Sequence, residues 1–368
     1  MHILTEFQNA CENGNLEEAK ILLQNNPNIN ISANNEYAFR CACENGHLEV
    51  AQWLLIVKPD INISANNEWS FRYACEKGHL EVAQWLLEVK LNINISANNE
   101  YAFRWACENG HLKVAKWLLE VKPNINISAD NDWAFRYACR NGYIEVAQWL
   151  LEVKPNINIS ADNEDPFRNA CINGHLEVAK WLLKVKPNID ISAYNECAFR
   201  WACENGHLEV AQWLLEVKPN INISAYNEDP FRCACGNGHL TVAKWLLEVK
   251  QNIDISADDE SAFQFACREG HLPVAQWLLE VKPNINISAD NEWAYKLACE
   301  KGHLEVAQWL QTLNPFKYVI EVENNKLKSW KINTDYEEKM LFMLYTLSNK
   351  GYANELYADL VMDMGIYL

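Results

Sequence analysis

The sequence predicts an all-α solenoid of about ten 32-residue helix–turn–helix units with extended loops, closed by a C-terminal helical cap. Three observations predict it. The first is recurrence at one period. Ten cysteines stand 32 residues apart, from Cys11, Cys43 and Cys75 to Cys299, and ten glycines keep that interval from Gly14 to Gly302. Nine tryptophans (Trp53 to Trp309) and nine serines (Ser32 to Ser288) do the same. The second is helical periodicity inside each unit. The third is a pair of stop signals, one after each run.

The unit Tyr101 to Asp130 shows the elements in order. Ala102, Phe103, Ala106 and Cys107 share one face of a short helix. Gly110 follows, where the chain needs a left-handed C-terminal turn. Leu112, Ala115, Leu118 and Leu119 mark one face of a second helix, and Lys122-Pro123 stops it. Asn124 to Ser128 alternates like a short strand or extended arm, and Ala129-Asp130-Asn131 is a turn. Four-stranded propeller blades are excluded.

A single core of 368 residues would divide, but a repeat array need not, because each unit contacts only its neighbours. With 49% apolar and 22% charged residues the chain reads as folded and soluble. Its net charge of −17 disfavours nucleic acid and anionic membrane surfaces as partners. No apolar run is long enough to span a bilayer. The opening Met-His-Ile-Leu-Thr-Glu-Phe-Gln lacks the features of a signal peptide, so the expected compartment is the cytoplasm.

The unit resembles the ankyrin repeat. Ala106-Cys107-Glu108-Asn109-Gly110-His111 matches that family's A-A-x-x-G-H, Val114 to Leu119 matches V-V-x-L-L-L, and Asn124-Ile125-Asn126 matches D-V-N. Asp165-Pro166-Phe167-Arg168 and Asp229-Pro230-Phe231-Arg232 keep a form of T-P-L-H. The match covers residues 1 to about 312. Arg replaces the family His at Arg40, Arg72 and Arg104, Lys-Pro replaces the Gly after the second helix, and the period is one residue short. These departures, with the Asn-Ile-Asn-Ile-Ser arm, resemble the ankyrin proteins of giant amoeba viruses of the mimivirus kind. The resemblance implies a protein-binding module without catalysis, whose first helices and loop tips line the concave face.

The fixed columns read as scaffolding. His47, His79, His111, His175, His207, His239, His271 and His303 share one slot, but ligands one repeat apart are too distant to share a zinc ion, so backbone hydrogen bonding is expected. The phased cysteines sit at a small buried position and are too far apart for disulfides. Only Cys41, Cys197 and Cys233 lie off phase, where an exposed thiol could stand. The Trp column is expected in the core, stacking between neighbours. The Arg column is expected to bond loop carbonyls or stack on aromatic rings. No nucleophile–base pair, phosphate loop or ligand cluster points to an enzyme, and no cofactor or metal is expected.

Function is expected where the repeats differ. Two positions, i and i+4 on the first helix, vary most: Tyr37/Cys41, Trp69/Tyr73, Tyr101/Trp105, Trp133/Tyr137, Asp165/Asn169, Cys197/Trp201, Asp229/Cys233, Ser261/Phe265 and Trp293/Leu297. The candidate partner-binding residues are Tyr37, Trp69, Tyr73, Tyr101, Trp105, Trp133, Tyr137, Asp165, Asp229 and Trp293. The alternative is that i+4 is core between helices. The loop tips, such as Asn34-Asn35-Glu36 and Asp258-Asp259-Glu260, form an acidic ladder that either steers a basic partner or is a solvated edge.

The array is assigned to residues 1–314, with an atypical first repeat as N-terminal cap. Residues 315–368 read as a cap: a hairpin from Lys317 to Glu323 and Lys326 to Ile332, then two helices from Tyr336 and from about Asn354. The expected function is a monomeric interaction module for a host or viral protein. Two alternatives are a ubiquitin-ligase substrate adaptor, with the tail recruiting the ligase, and a structural virion or assembly protein.

Overall fold

A computed structural model of the chain describes residues 2–315 and 317–333. Twenty helices alternate in pairs among them. Repeat one pairs His2–Glu12 with Leu16–Asn25, and repeat two pairs Ala33–Glu44 with Leu48–Val57. The pattern continues to Ala289–Glu300 and Leu304–Leu313 in repeat ten. Two strands follow, Tyr318–Glu323 and Lys326–Ile332. The two expected helices after them lie outside the described residues.

The described residues fall into two compact units, one reaching through Ala202 and including Glu209–Ile221, the other made of Cys203–Leu208 and the described residues from Asn222 onward. In each unit the core is a set of columns. In the first, Ala38, Phe39, Ala42 and Cys43 of the first helix and Val50, Ala51 and Leu54 of the second are buried, and the same slots repeat along the stack. Every cysteine is free, and all but Cys233 are buried. This corrects the expectation of exposed thiols at Cys41 and Cys197, each 8% exposed. Burial holds the thiols in their neutral form, with Cys11 and Cys233 both pushed up to about 12 and the central column further still.

The Trp column packs between repeats, but not Trp on Trp. Each ring lies against the first-helix Phe of the preceding repeat. Trp53 meets Phe7 at 6.3 Å and Trp117 meets Phe71 at 6.2 Å in the first unit. Trp277 meets Phe231 at 6.2 Å in the second. The rings are tilted by about fifty degrees, a geometry that contributes about 0.5–1.5 kcal/mol beyond area burial.

The glycine turns explain the His column. Gly110 has φ +78, and an added Cβ would stand 2.5 Å from the ring of Tyr143 in the next repeat. At Gly46 and Gly238 the ring is His79 and His271, also at 2.5 Å. A glycine here serves two needs at once, a left-handed turn and a flat seat for the following ring. Burial of the ring, with the neighbouring His111 and His47, lowers the pKa of His79 against the opposing effect of the Glu44 backbone.

The loops depart furthest from expectation. The Asn-Ile-Asn-Ile-Ser arm is no strand; it is an irregular stretch whose first Ile is buried, as at Ile125. The tip that follows is three successive left-handed residues. Asn34, Asn35 and Glu36 have φ of 56, 62 and 62, and nine repeats share the arrangement. Left-handed backbone costs about 1–2 kcal/mol per ordinary residue, less for Asn and Asp. Arg40 offsets this by donating from Nε to the Asn35 carbonyl (2.7 Å) and from Nη2 to that of Asn34 (3.2 Å). Arg72 and Arg104 repeat the clasp.

The third tip residue is not part of an exposed acidic ladder. Glu68 is 8% exposed and joins two successive loops. Ser64 Oγ donates to it at 2.5 Å, the Asn94 N–H donates at 3.3 Å, and Lys90 Nζ reaches Ser64 Oγ at 2.5 Å. The same Ser–Glu strut recurs at Glu164 and Glu196 in the first unit and at Glu228 and Glu260 in the second. Only the first two tip residues face solvent. The first strut is incomplete. Asp60 draws Lys58 to 2.9 Å, and Ser32 Oγ and Glu36 Oε2 are left buried without partners.

In the second unit the hairpin packs on repeat ten. Its strands pair antiparallel from Tyr318 opposite Ile332 to Glu323 opposite Lys326. Tyr295, in the slot that holds Phe in earlier repeats, stacks on Tyr318 at 4.1 Å and meets Trp330 edge-on at 6.1 Å. Tyr295 donates its hydroxyl to the Val319 carbonyl at 3.0 Å, and Tyr318 donates its own to Glu292. Lys317 pairs with Glu292 and Ser288, doing what the loop lysines do elsewhere.

Candidate functional site

The first-helix positions i and i+4 of repeats three to five bring six rings into one unbroken row in the first unit. Trp69 stacks on Tyr73 at 4.1 Å, and Tyr73 meets Tyr101 at 5.6 Å. Tyr101 stacks on Trp105 at 5.4 Å, and Trp105 meets Trp133 at 6.1 Å. Trp133 stacks on Tyr137 at 4.0 Å. All six are half-buried. The helical i, i+4 spacing makes each stacked pair, and the repeat spacing joins one pair to the next.

The rings at position i are tied into the stack by two partners from the preceding repeat. Below each lies the Arg column: Arg40 is 4.8 Å from the Trp69 centroid, Arg72 is 4.6 Å from Tyr101, and Arg104 is 5.2 Å from Trp133. Beside each lies the last residue of the preceding first helix, a glutamate. Tyr37 donates to Glu12 at 2.9 Å, Trp69 to Glu44 at 3.0 Å, Tyr101 to Glu76, and Trp133 to Glu108 at 2.7 Å. Desolvation raises the carboxyl of Glu108 above its ordinary range, against the opposing bond from Trp133. The bond to Glu12 raises the Tyr37 hydroxyl, and burial raises that of Tyr101.

Variation at position i therefore has an internal logic that the sequence pattern did not reveal. Each different residue is another way to meet the same arginine column. Asp165 accepts from Arg136 Nε at 2.9 Å, with Arg168 at 3.6 Å and Asn169 donating at 2.6 Å. Cys197 Sγ lies 3.8 Å from Arg168, and Ser261 Oγ lies 3.0 Å from Arg232. Asp229 has Arg232 at 3.7 Å. Where Gln264 replaces the arginine, its Nε2 finds no partner, and Arg268 covers Trp293 from 5.5 Å instead.

The i+4 positions are freer. The Trp105 indole N–H and the Tyr137 hydroxyl make no hydrogen bond among the described residues, although both are half-buried on the same row as their bonded neighbours. Trp201, the same position in repeat seven, is 43% exposed; it is not among the candidates that the sequence singles out, although its place in a varying pair marks it. At the N-terminal end of the row a cavity of 520 Å³ opens among Glu12, Tyr37, Arg40, Glu44 and Trp69.

Among the described residues no group of three or more His, Cys, Asp or Glu could hold a metal ion, and no helix is long and apolar enough to cross a membrane. Models of ankyrin repeats match the chain. A three-copy model matches residues 71–161, 135–227, 167–259 and 231–320, and a many-copy model matches residues 7–55. Comparison with curated proteins gives no match.

Proposed function

The chain belongs to the ankyrin repeat family, and from that premise we propose that it is a non-catalytic module that binds a protein partner on the aromatic first-helix face of repeats two to five. The continuous row from Trp69 to Tyr137 carries this reading. Aromatic side chains offer large contact area at low entropic cost, and they dominate protein interfaces. The contact is made by Tyr37, Trp69, Tyr73, Tyr101, Trp105, Trp133 and Tyr137, with Asp165 bounding the row. Trp105 and Tyr137 take the leading part, because their polar atoms are not spent within the fold. Asp229 and Trp293 belong to the second unit and are not part of this row.

From the resemblance to giant-virus ankyrin proteins we propose a host or viral protein in the cytoplasm as the partner class, bound by a monomer. We propose residues 1–314 as the array and 315–368 as a distinct segment, of which the strands Tyr318–Glu323 and Lys326–Ile332 lie against repeat ten. The test is affinity capture from host lysate with the full chain and with Trp105→Ala. The reading expects a partner retained by the first and lost from the second at unchanged helix content. Equal capture by both refutes it.

A further inference from the structure

We propose that the row from Trp69 to Tyr137 binds an extended proline-rich peptide segment carrying lysine or arginine, laid along the stack in the polyproline II conformation. The inference rests on the reading of this face as the binding surface and names the class of partner.

Three features of the row select that occupant. The first is what remains unspent. Trp69, Tyr101 and Trp133 give their donors to glutamates of the stack, whereas the Trp105 N–H and the Tyr137 O–H have no partner among the described residues. The free resources are ring area and two hydrogen-bond donors. A polyproline II segment has no internal hydrogen bonds, so its carbonyls are open to such donors, and its proline rings pack on aromatic ones. A helix or a strand arrives with its carbonyls already committed or aligned to a sheet edge.

The second feature is spacing. The rings come as two per repeat, with centroid steps of 4.1, 5.6, 5.4, 6.1 and 4.0 Å. Stacked helices lie about 8–10 Å apart, and three residues of polyproline II advance about 9 Å. One peptide turn therefore meets one repeat, and every third residue faces the same kind of surface. Such a segment is also stiff before it binds, so little ordering entropy opposes association.

The third feature is charge. Glu44, Glu76 and Glu108 run beside the rings, one per repeat. Arg40 and Arg72 are 7% and 4% exposed and are committed to loop carbonyls, while Arg104 is paired with Asp130. The open cations of the face are Lys77, 3.9 Å from Glu76, and Arg140, over Tyr137 at the far end. At the N-terminal end the 520 Å³ cavity holds Glu12 and Glu44 beside Trp69, whereas at the far end Asp165 is already paired with Arg136 and Arg140 lies over Tyr137. A lysine or arginine of the peptide seats in the cavity, and Arg140 repels a cation at the other end. The gradient gives the peptide one direction.

The test is fluorescence anisotropy with the full chain and three labelled synthetic peptides of equal length: repeated Pro-Pro-Arg, Pro-Pro-Glu and Gly-Ser-Arg. The proposal expects Pro-Pro-Arg to bind about tenfold or more tightly than either of the others. Trp105→Ala should weaken it by about tenfold. Trp105→Phe, which keeps a ring and removes the donor, should weaken it by a smaller factor and guards against loss through misfolding. Glu44→Gln should weaken it and flatten its dependence on salt. Equal binding of Gly-Ser-Arg means charge alone and overturns the proposal, as does tighter binding of Pro-Pro-Glu, no binding of Pro-Pro-Arg, or indifference to both Trp105 variants. If the peptides fail while lysate capture still depends on Trp105, the partner class falls and the binding face stands.

Discussion

Replacing Glu68 by alanine should unfasten the joint between the loops that enter and leave repeat three. The carboxylate is 8% exposed and accepts from Ser64 Oγ at 2.5 Å and from the Asn94 N–H at 3.3 Å. Lys90 joins through Ser64 at 2.5 Å. Alanine leaves a buried N–H and a hydroxyl without their acceptor, and Lys90 without the carboxylate that Ser64 relays to it. Hydrogen bonds to charged groups contribute about 1.5–3 kcal/mol each. Because Lys90 is half-buried and the Asn94 bond is long, the expected net loss is about 2–4 kcal/mol. Glu68→Gln keeps one acceptor oxygen and should lose about half as much. Urea unfolding followed by circular dichroism measures both. If Glu68→Ala unfolds within about 0.5 kcal/mol of the native chain, the glutamate is an ordinary surface residue and the strut is refuted.

Three further outcomes follow from the same geometry. Gly110 and Gly302 share φ +78, but only Gly110 has a ring seated on it. Alanine at Gly302 should cost only backbone strain of about 1–2 kcal/mol, and alanine at Gly110 about 1–3 kcal/mol more; equal melting shifts would show that the Tyr143 ring moves aside freely. His79, His111, His239 and His271 are all held below their ordinary pKa of 6.5, first by burial. The unfolded chain therefore binds protons before the folded one, so stability is complete above about pH 6.5 and falls as pH is lowered through the folded values; thermal melts across that window should show it, and a flat profile would not fit. Asp60→Asn should release Lys58 to Ser32 Oγ and Glu36 Oε2, both buried without partners, and raise the melting temperature; a lower melting temperature would show that the Lys58–Asp60 pair matters more.

Much of the fold was legible because it rests on local signals. Gly110 announced a left-handed turn and Lys122-Pro123 the helix stop, and both stand where the pattern put them. The strand boundaries at Tyr318–Glu323 and Lys326–Ile332 follow the Asn324-Asn325 turn, whose two residues take φ of 52 and 57. What stayed hidden depends on contacts one repeat away. The Trp117–Phe71 pairing crosses from a second helix back to the first helix of the preceding repeat, which no helical wheel displays. The buried glutamate was hidden by its company, since Asn-Asn-Glu reads as a solvated turn. Its constancy was nevertheless a signal. The first tip residue changes among Asn, Asp and Tyr, while the third is an acid in all nine repeats, always four residues after a serine.

The candidate site shows the opposite error. Variation at position i looked like freedom to fit a target. Wherever the arginine is present, the structure gives the variant an internal partner on it: a ring for Arg40, a carboxylate for Arg136, a thiol for Arg168, a hydroxyl for Arg232. Trp69→Ala and Trp133→Ala therefore remove a hydrogen bond and a stacked neighbour as well as surface, and neither isolates binding. Trp105 does so more cleanly, because its indole N–H holds nothing inside the fold.

Hydroxyl-radical footprinting of the chain alone and with its captured partner tests the central claim most directly. Binding on the aromatic first-helix face predicts protection of Tyr73, Trp105 and Tyr137 upon complex formation. The exposed Val89, Val121 and Val153 at the ends of the second helices should keep their reactivity. Protection of that valine column with the three aromatic residues unchanged would place the partner on the other side of the stack and contradict the account.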